Sequence, residues 1–420
     1  MGKTFAEKVL ARKSGLDAVV PGQIVTVRPD HLLTHDNTSA IVAKVAQDLK
    51  TYGLVSQSLP VIAIDHVVPA VDEKTAAGHA AIRRFVQEYG VEHFFDVGEG
   101  VCHQLMVEKG LALPGMLVLG SDSHTCTYGA VNAFATGIDR TEAAVLLLTG
   151  ETWLRVPETI KVILEGAFPH GVMGKDLILR IIGEVGADGA NYKAVEFHGD
   201  LAGLSMDDRL TVANMGIEMG AKLAAFPVDA STEAYLAAHA PGAIYAPVWA
   251  DADAAYIHGL RFNLSTLEPV VAKPHAVDNV APVREVAGLP VQQAFLGTCT
   301  NGRLSDLQAA ASILKGRRIA PGVRLLVIPA SRSIFQGAMA DGTLAALVEA
   351  GAMVGPPGCG PCLGAHQGLL APGERCISSS NRNFQGRMGS KDAEVFLGSP
   401  LTVAASAMTG VLTDPREVMK

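Results

Sequence analysis

Two cysteines three positions apart are the clearest chemical feature of this sequence. Cys359 and Cys362 lie in a Gly- and Pro-rich stretch, 356–364. A Cys-x-x-Cys pair can form a redox disulfide, supply half of a zinc site, or bind one face of an iron–sulfur cluster. A third thiol is available from Cys299, which directly follows the short apolar run 294–296 and its Gly-Thr extension. The cysteines therefore indicate redox or metal chemistry.

The surroundings of the pair bear on these alternatives. Cys359-Gly-Pro-Cys362 is the thioredoxin-like redox motif, and a helix could begin after it, but nothing else in the chain indicates a thioredoxin domain. Zinc normally needs a fourth ligand from a second Cys-x-x-Cys or a His pair at short spacing, and the sequence has neither. Three thiols from two loops suit a cubane cluster with one open iron, whereas the clusters of electron carriers usually have every iron bound by protein. A cluster is favoured, and redox chemistry stays open.

Three short apolar segments each lead into a loop that carries Asp or His. The segments and their residues are 61–64 with Asp65 and His66, 94–97 with His103, and 116–120 with Asp122, Ser123 and His124. Because an open parallel sheet binds ligands outside the carboxyl ends of its strands, we expect these loops to meet. Imidazoles beside carboxylates are suited to proton transfer. The ten other histidines, His35 among them, are expected to be structural.

Further charged residues extend the candidate site. Glu196 interrupts an apolar, strand-like run, 194–198, so it is either exposed at a sheet edge or functional. Arg382 and Arg387 lie five positions apart in a Gly- and Asn-containing loop, and such a pair can hold a carboxylate with two hydrogen bonds each. The stretch 171–175 resembles half of a phosphate-binding loop, but it lacks the first glycine and the final Ser or Thr, so we discard it.

Composition limits the class of protein. The 420 residues are 49% apolar but only 5% aromatic, with 44 glycines, which is typical of an α/β enzyme with many strand-end loops. A formal charge of −8 argues against nucleic acid as the main partner. The sequence has no apolar run of membrane-spanning length and no signal-peptide core, and its six cysteines are irregularly spaced. We expect a soluble protein of a reducing compartment, the cytoplasm.

The repeated strand–loop–helix pattern predicts an α/β fold of three domains. We expect a first domain, 1–154, with the Asp and His loops, a second, 155–286, with Glu196, and a third, 287–420, with the cysteines and arginines. The weakly periodic segment 238–279, rich in Ala and Pro, is expected to link the second domain to the third.

In their order along the chain, these motifs resemble the aconitase superfamily. The matching residues are Asp65-His66, Gly-Val-Cys-His103-Gln, Asp122-Ser123-His124-Thr125, Gly-Thr-Cys299-Thr-Asn, Gly-Cys359-Gly-Pro-Cys362 and Ser-Asn381-Arg382-Asn-Phe-Gln-Gly-Arg387. The resemblance covers essentially the whole chain. It is greatest with the short large subunits of the two-chain enzymes that act on substituted malates.

This resemblance implies an architecture and a set of roles. It implies three α/β/α domains around a [4Fe-4S] cluster, with the swivelling fourth domain of the superfamily absent from this chain. It implies that the cluster is bound by Cys299, Cys359 and Cys362. It implies catalytic roles for Asp65, His66, His103, Asp122, His124 and Glu196, and substrate binding by Ser123, Asn381, Arg382 and Arg387. The remaining thiols fall outside the ligand positions and are expected to be structural; they are Cys102, Cys126 and Cys376.

The reaction that the resemblance implies is dehydration and rehydration of 2-isopropylmalate to 3-isopropylmalate through isopropylmaleate, in leucine biosynthesis. An open iron would act as the Lewis acid. A separate small subunit, in a heterodimer or heterotetramer, would complete the site. The alternatives are homocitrate isomerisation in lysine biosynthesis and another substituted-malate hydro-lyase. An iron-sensing apo-protein that binds RNA is disfavoured by the acidity, and an electron carrier would need a fourth protein ligand.

Overall fold

The N-terminal part of the chain folds around a parallel sheet. A computed structural model describes residues 2–419. In chain order the first elements are α1 (Phe5–Ser14), β1 (Ile24–Val27), β2 (His31–Thr34), α2 (Thr38–Lys44), α3 (Ala46–Tyr52), β3 (Pro60–Ala63), α4 (Glu73–Tyr89), β4 (His93–Phe95), α5 (Cys102–Glu108), β5 (Leu117–Gly120), β6 (Phe134–Gly137), α6 (Arg140–Thr149) and β7 (Thr152–Arg155). The parallel sheet has the order β4-β3-β2-β5-β6, and β1 pairs antiparallel with β7.

The strand order of this sheet reverses between β2 and β5, because the chain adds β3 and β4 on one side of β2 and then returns to the other side. Every residue of β3 and β5 is buried, as expected for parallel strands covered on both faces. Helix α4 begins where Asp72 accepts the backbone N–H of Thr75 and ends at Gly90, which has a positive φ of 66°. Open sheets bind ligands at such a reversal, beyond the carboxyl ends of the strands.

A second parallel sheet follows. Its elements are β8 (Thr159–Glu165), α7 (Gly174–Val185), β9 (Ala194–Gly199), α8 (Met206–Asn214), β10 (Leu223–Ala225), α9 (Ala230–His239) and β11 (His258–Asn263). The strand order is β10-β9-β8-β11, all parallel. The predicted linker 238–279 is therefore wrong in part, since β11 lies within it. This edge strand is largely exposed, so it lacks the apolar pattern of a buried strand.

The C-terminal part forms a mixed sheet of seven strands. Its elements are β12 (Val270–Ala272), β13 (Val280–Pro282), α10 (Val283–Val286), β14 (Gln293–Gly297), α11 (Thr298–Asn301), α12 (Leu304–Leu314), β15 (Arg324–Ile328), α13 (Arg332–Ala340), α14 (Thr343–Ala350), β16 (Met353–Val354), β17 (Arg375–Ser378), β18 (Glu394–Leu397) and α15 (Pro400–Thr409). The order is β13-β12-β18-β17-β14-β15-β16, and β12 is antiparallel to both its neighbours. Two strands of this sheet thus precede the predicted domain start at 287.

The three parts pack together through one continuous apolar core. It contains buried residues of all three sheets and the cysteines Cys299, Cys359 and Cys362. Short 3₁₀ helices complete the fold at Ser123–Val131, Met215–Met219, Leu264–Thr266, Gly360–Leu363 and Pro415–Glu417. Among residues 2–419, no helix is long and apolar enough to cross a membrane.

Candidate active site

One cavity brings together loops from the first and third parts of the chain. It is lined by His66, His103, Asp122, His124, Thr298, Cys299, Cys359, Cys362, Leu363, Asn381, Arg382 and Arg387. Two other predicted residues lie directly behind this lining, since Asp65 contacts His66 and Ser123 contacts Arg382. The loop after β5 borders the strand-order reversal of the first sheet, where the sheet geometry places a ligand, and the loop after β3 lies one strand further along the same edge.

Asp65 and His66 form the first carboxylate–imidazole pair. His66 Nδ1 donates to Asp65 Oδ1 over 2.7 Å, and the other oxygen of this fully buried carboxylate accepts the N–H of Cys102 at 2.7 Å. His66 Nε2 lies 3.4 Å from Asp122 Oδ2. Burial alone would lower the pKa of His66, but Asp65, Cys359 and Asp122 outweigh it, so this pKa is raised well above the usual histidine value. A raised pKa favours the protonated ring, the form that can donate a proton.

Asp122 lies at the centre of a second group. Its Oδ1 accepts hydrogen bonds from His103 Nε2 at 2.8 Å and from the backbone N–H of His124 at 2.7 Å. Burial would raise the pKa of Asp122, but hydrogen bonds from the neighbouring imidazoles, His103 first, hold it well below the ordinary value. The hydroxyl of Tyr128 lies 2.9 Å from His103 Nδ1 and fixes the far side of that ring. Asp122 thus stays ionised and orients its imidazole neighbours.

The third pair contains a residue that the sequence analysis missed. Glu218 Oε1 accepts from His124 Nε2 at 3.0 Å and from Arg382 Nε at 2.8 Å. Arg382 also donates to Ser123 Oγ at 2.9 Å. Burial would raise the pKa of Glu218, but His124 and Arg382 lower it overall. A signal existed in the sequence, because Glu218 interrupts a Gly- and Met-rich apolar stretch after α8.

Glu196, in contrast, is not brought to this cavity. It lies on β9 and faces a separate pocket between the second sheet and helix α1. Its oxygens accept the backbone N–H of Phe5 at 2.9 Å and the hydroxyl of Tyr256 at 3.1 Å, and His198 Nε2 is 3.5 Å away. The expectation that Glu196 takes part in the active site is therefore corrected. The charged residue that interrupts the apolar run 194–198 is a buried, hydrogen-bonded structural carboxylate.

The loop after β2 contributes two further residues that the sequence analysis did not assign to the site. Asp36 accepts three successive backbone N–H groups, those of Asp65, His66 and Val67, at 3.0, 2.8 and 3.1 Å. The ring of His35 stacks on that of His66 with 4.0 Å between centroids. The expectation that His35 is merely structural overlooked this position. Strand β2 has few apolar residues, so its Asp–His loop did not stand out.

The three cysteine thiols fit a polynuclear metal group. All are buried and line the cavity. Within residues 2–419 they are not among the sets of three donors whose atoms all lie within 4.8 Å of one another, as a single tetrahedral zinc ion requires. Burial raises the pKa of the Cys359 thiol to about 12, and a bound metal would favour its thiolate. Three converging but separated thiols are the donor set of an iron–sulfur cluster.

Polar side chains surround these sulfurs. Asn214 Nδ2 lies 3.2 Å from Cys299 Sγ, and the Asn381 amide lies 3.7 Å from the sulfurs of both Cys299 and Cys362. Thr298, which precedes Cys299, has a φ of 77°, a strained value for a β-branched residue. Strained backbone conformations of this kind cluster at active sites and ligand-binding loops.

Arg387 has unused hydrogen-bonding capacity at the cavity. One terminal nitrogen lies 4.0 Å from Cys362 Sγ, and its buried Nε has no partner among the described residues. Buried donors are rarely left unpaired in folded proteins, so a bound water or ligand would satisfy this nitrogen. A guanidinium at this position suits a substrate carboxylate.

Known proteins resemble this chain over its full length. The family model described as "Aconitase family (aconitate hydratase)" matches residues 7–290 and 284–410. The "3-isopropylmalate dehydratase large subunit 1" of Methanopyrus kandleri is 50% identical, covering 99% of both chains. "Large subunit 2" of the same enzyme from Archaeoglobus fulgidus is 47% identical over all of both chains.

Two further proteins extend the comparison. The "Probable methanogen homoaconitase large subunit" of Methanosarcina mazei is 48% identical and covers 93% of this chain and 99% of its own. The crystal structure of aconitase X from Thermococcus kodakaraensis superposes with a TM-score of 0.50, at 11% identity, over 87% of this chain and 89% of that one. At that identity the superposition shows a shared fold.

Proposed function

Because this chain belongs to the aconitase family, we propose that it is the cluster-bearing large subunit of an isopropylmalate isomerase. The reaction is the dehydration of 2-isopropylmalate to isopropylmaleate and its rehydration to 3-isopropylmalate. One observation carries the proposal: three imidazole–carboxylate pairs, three buried thiols and two arginines converge on the same cavity. This donor set suits elimination of water from a hydroxylated dicarboxylate.

The residues present fit a [4Fe-4S] cluster, which Cys299, Cys359 and Cys362 would hold. When bound, such a group supplies a Lewis acid that makes a hydroxyl a better leaving group. The amides of Asn214 and Asn381 would donate to its sulfurs, an interaction that orients thiolate ligands and tunes a cluster.

The remaining residues of the cavity bind substrate and move protons. Arg387, through its unpaired Nε, and Arg382, held by Glu218 and Ser123, would bind the two carboxylates and fix the substrate's orientation. His66, whose pKa is raised, would donate a proton to the departing hydroxyl. The hydrogen-bonded pairs His103–Asp122 and His124–Glu218 would accept and return protons on the same side of the cavity as His66.

We also propose that a small subunit completes the site. The names of the relatives include "large subunit", and Arg382 and Arg387 are only partly buried in this chain. A partner covering this opening would exclude water and supply the base that removes the carbon-bound proton. The cytoplasmic location stays a prediction.

Activity with and without the partner tests this proposal. The purified chain, reconstituted anaerobically with iron and sulfide, is assayed with 2-isopropylmalate by the ultraviolet absorbance of isopropylmaleate. We expect turnover only when the small subunit is added. Full turnover by the large chain alone would refute the two-chain site, and no turnover of any substituted malate by the complete pair would refute the proposed reaction.

Homocitrate is the second candidate substrate. The homoaconitase relative is 48% identical, close to the 50% of an isopropylmalate relative, so overall similarity does not separate the two. Both substrates present the same hydroxylated dicarboxylate to this subunit. Parallel assays with each substrate and the cognate small subunit decide between them by the ratio of kcat/KM.

A further inference from the structure

A buried lysine lies behind the cysteine loops. Lys175, near the start of α7, is completely buried, and its Nζ donates to the backbone carbonyls of Ser379 and Ser380 at 2.8 and 2.5 Å. It belongs to the stretch 171–175, which the sequence analysis set aside as half of a phosphate-binding loop. Within residues 2–419 it forms no ion pair with a carboxylate.

A buried ammonium without a counter-ion is costly, so the surroundings of Lys175 must be accounted for. Burial lowers its pKa to about 7, and the negative charges that oppose this effect are, in order, those of Cys362, Asp306, Asp176 and Cys299. Two of these groups are thiols of the proposed cluster site. The Lys175 side chain therefore lies close enough to two of the cysteines for their charges to act on it.

The two nearby carboxylates are poor counter-ions. Asp176 is fully buried, and its oxygens accept the backbone N–H groups of Val270 and Met173. Asp306 is likewise engaged by the backbone N–H of Arg303 and the side chain of Asn301. The hydrogen bonds of both carboxylates therefore go to donors other than Lys175.

Lys175 binds the backbone next to a residue that approaches the sulfurs. The carbonyls it binds immediately precede Asn381, whose Nδ2 lies 3.7 Å from Cys299 Sγ and whose Oδ1 lies 3.7 Å from Cys362 Sγ. A charge at this point acts on the thiolates through a dry, low-dielectric interior, where electrostatic interactions are strong. The lysine approaches from α7, in the second part of the chain, whereas all three cysteines come from the third.

We propose that Lys175 is the fixed counter-charge of the cluster site, a positioning residue that stabilises bound thiolates and their iron. The inference rests on the proposed function, since it assumes that the three cysteines bind an anionic iron–sulfur group. Lys175 touches neither substrate nor reacting atoms. Its effect is on retention of the metal group rather than on the chemical step.

Iron release and thermal unfolding test the inference. Lys175→Met removes charge and hydrogen bonds, and Lys175→Gln removes the charge but keeps an N–H donor. Lys222→Met is the matched control, because Lys222 is a partly buried lysine that also donates to a carbonyl, that of Gly137, and the charge acting on it is that of Glu142 rather than of a cysteine. Each chain is measured metal-free and after anaerobic reconstitution, by calorimetry and by the rate of iron loss to a chelator.

We expect both Lys175 variants to lose iron about ten to a hundred times faster than the parent chain, the range for supporting groups of metal sites. Their unfolding temperature should fall more in the loaded than in the metal-free form, because only the loaded form needs the charge. Lys222→Met should match the parent in iron release.

Other results overturn the inference. Equal destabilisation of both forms with unchanged iron release would make Lys175 an ordinary packing and hydrogen-bonding residue, and so would failure of the metal-free variants to fold. Normal retention in Lys175→Gln alone would assign the effect to the hydrogen bonds. A parent chain that takes up no iron would refute the proposed function and this inference together, and that result is visible before any substitution is made.

Discussion

Three imidazoles at the cavity each contact a carboxylate: His66 contacts Asp65, His103 contacts Asp122, and His124 contacts Glu218. Asp65 and Asp122 were predicted from strand-end loops, whereas the carboxylate that accepts from His124 Nε2 is that of Glu218, which the sequence analysis did not name, and Glu196 lies elsewhere. Both glutamates interrupt apolar stretches, so the local sequence does not show which of them lies at the cavity. Only the fold distinguishes a carboxylate that meets Arg382 from one that meets the start of α1.

Replacing Glu218 tests this assignment. Glu218→Gln keeps the size of the side chain but removes the charge that orients His124 and Arg382. We expect kcat with 2-isopropylmalate to fall by about 10²–10⁴-fold, the usual contribution of acid–base groups. Glu196→Gln is the matched control and should retain activity. Loss of activity in the control, with Glu218→Gln unaffected, would reverse the assignment.

Arg387 is expected to bind a substrate carboxylate. Arg387→Lys keeps the positive charge but loses the forked geometry that binds two oxygens at once. Loss of a charge-assisted hydrogen bond is worth about 2 kcal/mol, so KM should rise about thirtyfold. Steady-state kinetics at matched iron content measures it. Arg375→Lys, at a partly exposed pair with Glu394, is the control, and an unchanged KM in Arg387→Lys would exclude the role.

At the level of elements, the loop after β2 fixes the backbone of the loop after β3. Asp36, after β2, gathers the backbone N–H groups of residues 65–67 after β3. The same second loop reaches the cysteines, since the carbonyl of Asp65 accepts the N–H of Cys359 at 3.1 Å. The first sheet thereby sets the position of a loop in the third part of the chain.

Asp36→Asn is expected to loosen this connection. Burial would raise the pKa of Asp36, but hydrogen bonding from His79, the charge of His66 and the backbone N–H groups lower it overall. A lowered pKa means that Asp36 stabilises the fold above the ordinary aspartate pKa, and that this contribution is lost as the pH falls.

Urea unfolding at several pH values measures this effect. We expect Asp36→Asn to cost about 1–3 kcal/mol at pH 7, and the difference from the parent chain to shrink below about pH 4. Asp72→Asn, at the exposed N-cap of α4, is the control, since Asn and Asp cap equally well. An equal, pH-independent loss in both variants would contradict the account.

The elements that sequence could predict are those with strong apolar runs. The strands before Asp65, Asp122 and Cys299 are fully buried and mostly apolar, so both the strands and the loops that follow them could be predicted from the sequence. Strands β2 and β11 could not be predicted, because only Leu32 and Leu33 of β2 are apolar and β11 is mostly exposed. The role of Lys175 was equally hidden, since its acceptors are carbonyls about two hundred residues away.

For the whole molecule, the cavity lies where separate parts of the chain meet, and a shared apolar core surrounds the cysteines. A group bound there stabilises the folded state by linkage. We therefore expect reconstitution with iron and sulfide to raise the unfolding temperature, measured by anaerobic calorimetry. Cys359→Ser should show little or no increase in unfolding temperature. An increase equal to that of the parent chain would show that Cys359 is not a ligand of the bound metal group.

The most direct test of the central claim is Mössbauer spectroscopy of the ⁵⁷Fe-reconstituted chain, before and after addition of 2-isopropylmalate. The account predicts a [4Fe-4S] signal in which one iron site changes on addition of substrate, because three thiols leave one iron open beside the imidazoles and arginines. A cluster whose four irons are all indifferent to substituted malates would contradict it, and so would a chain that assembles no cluster.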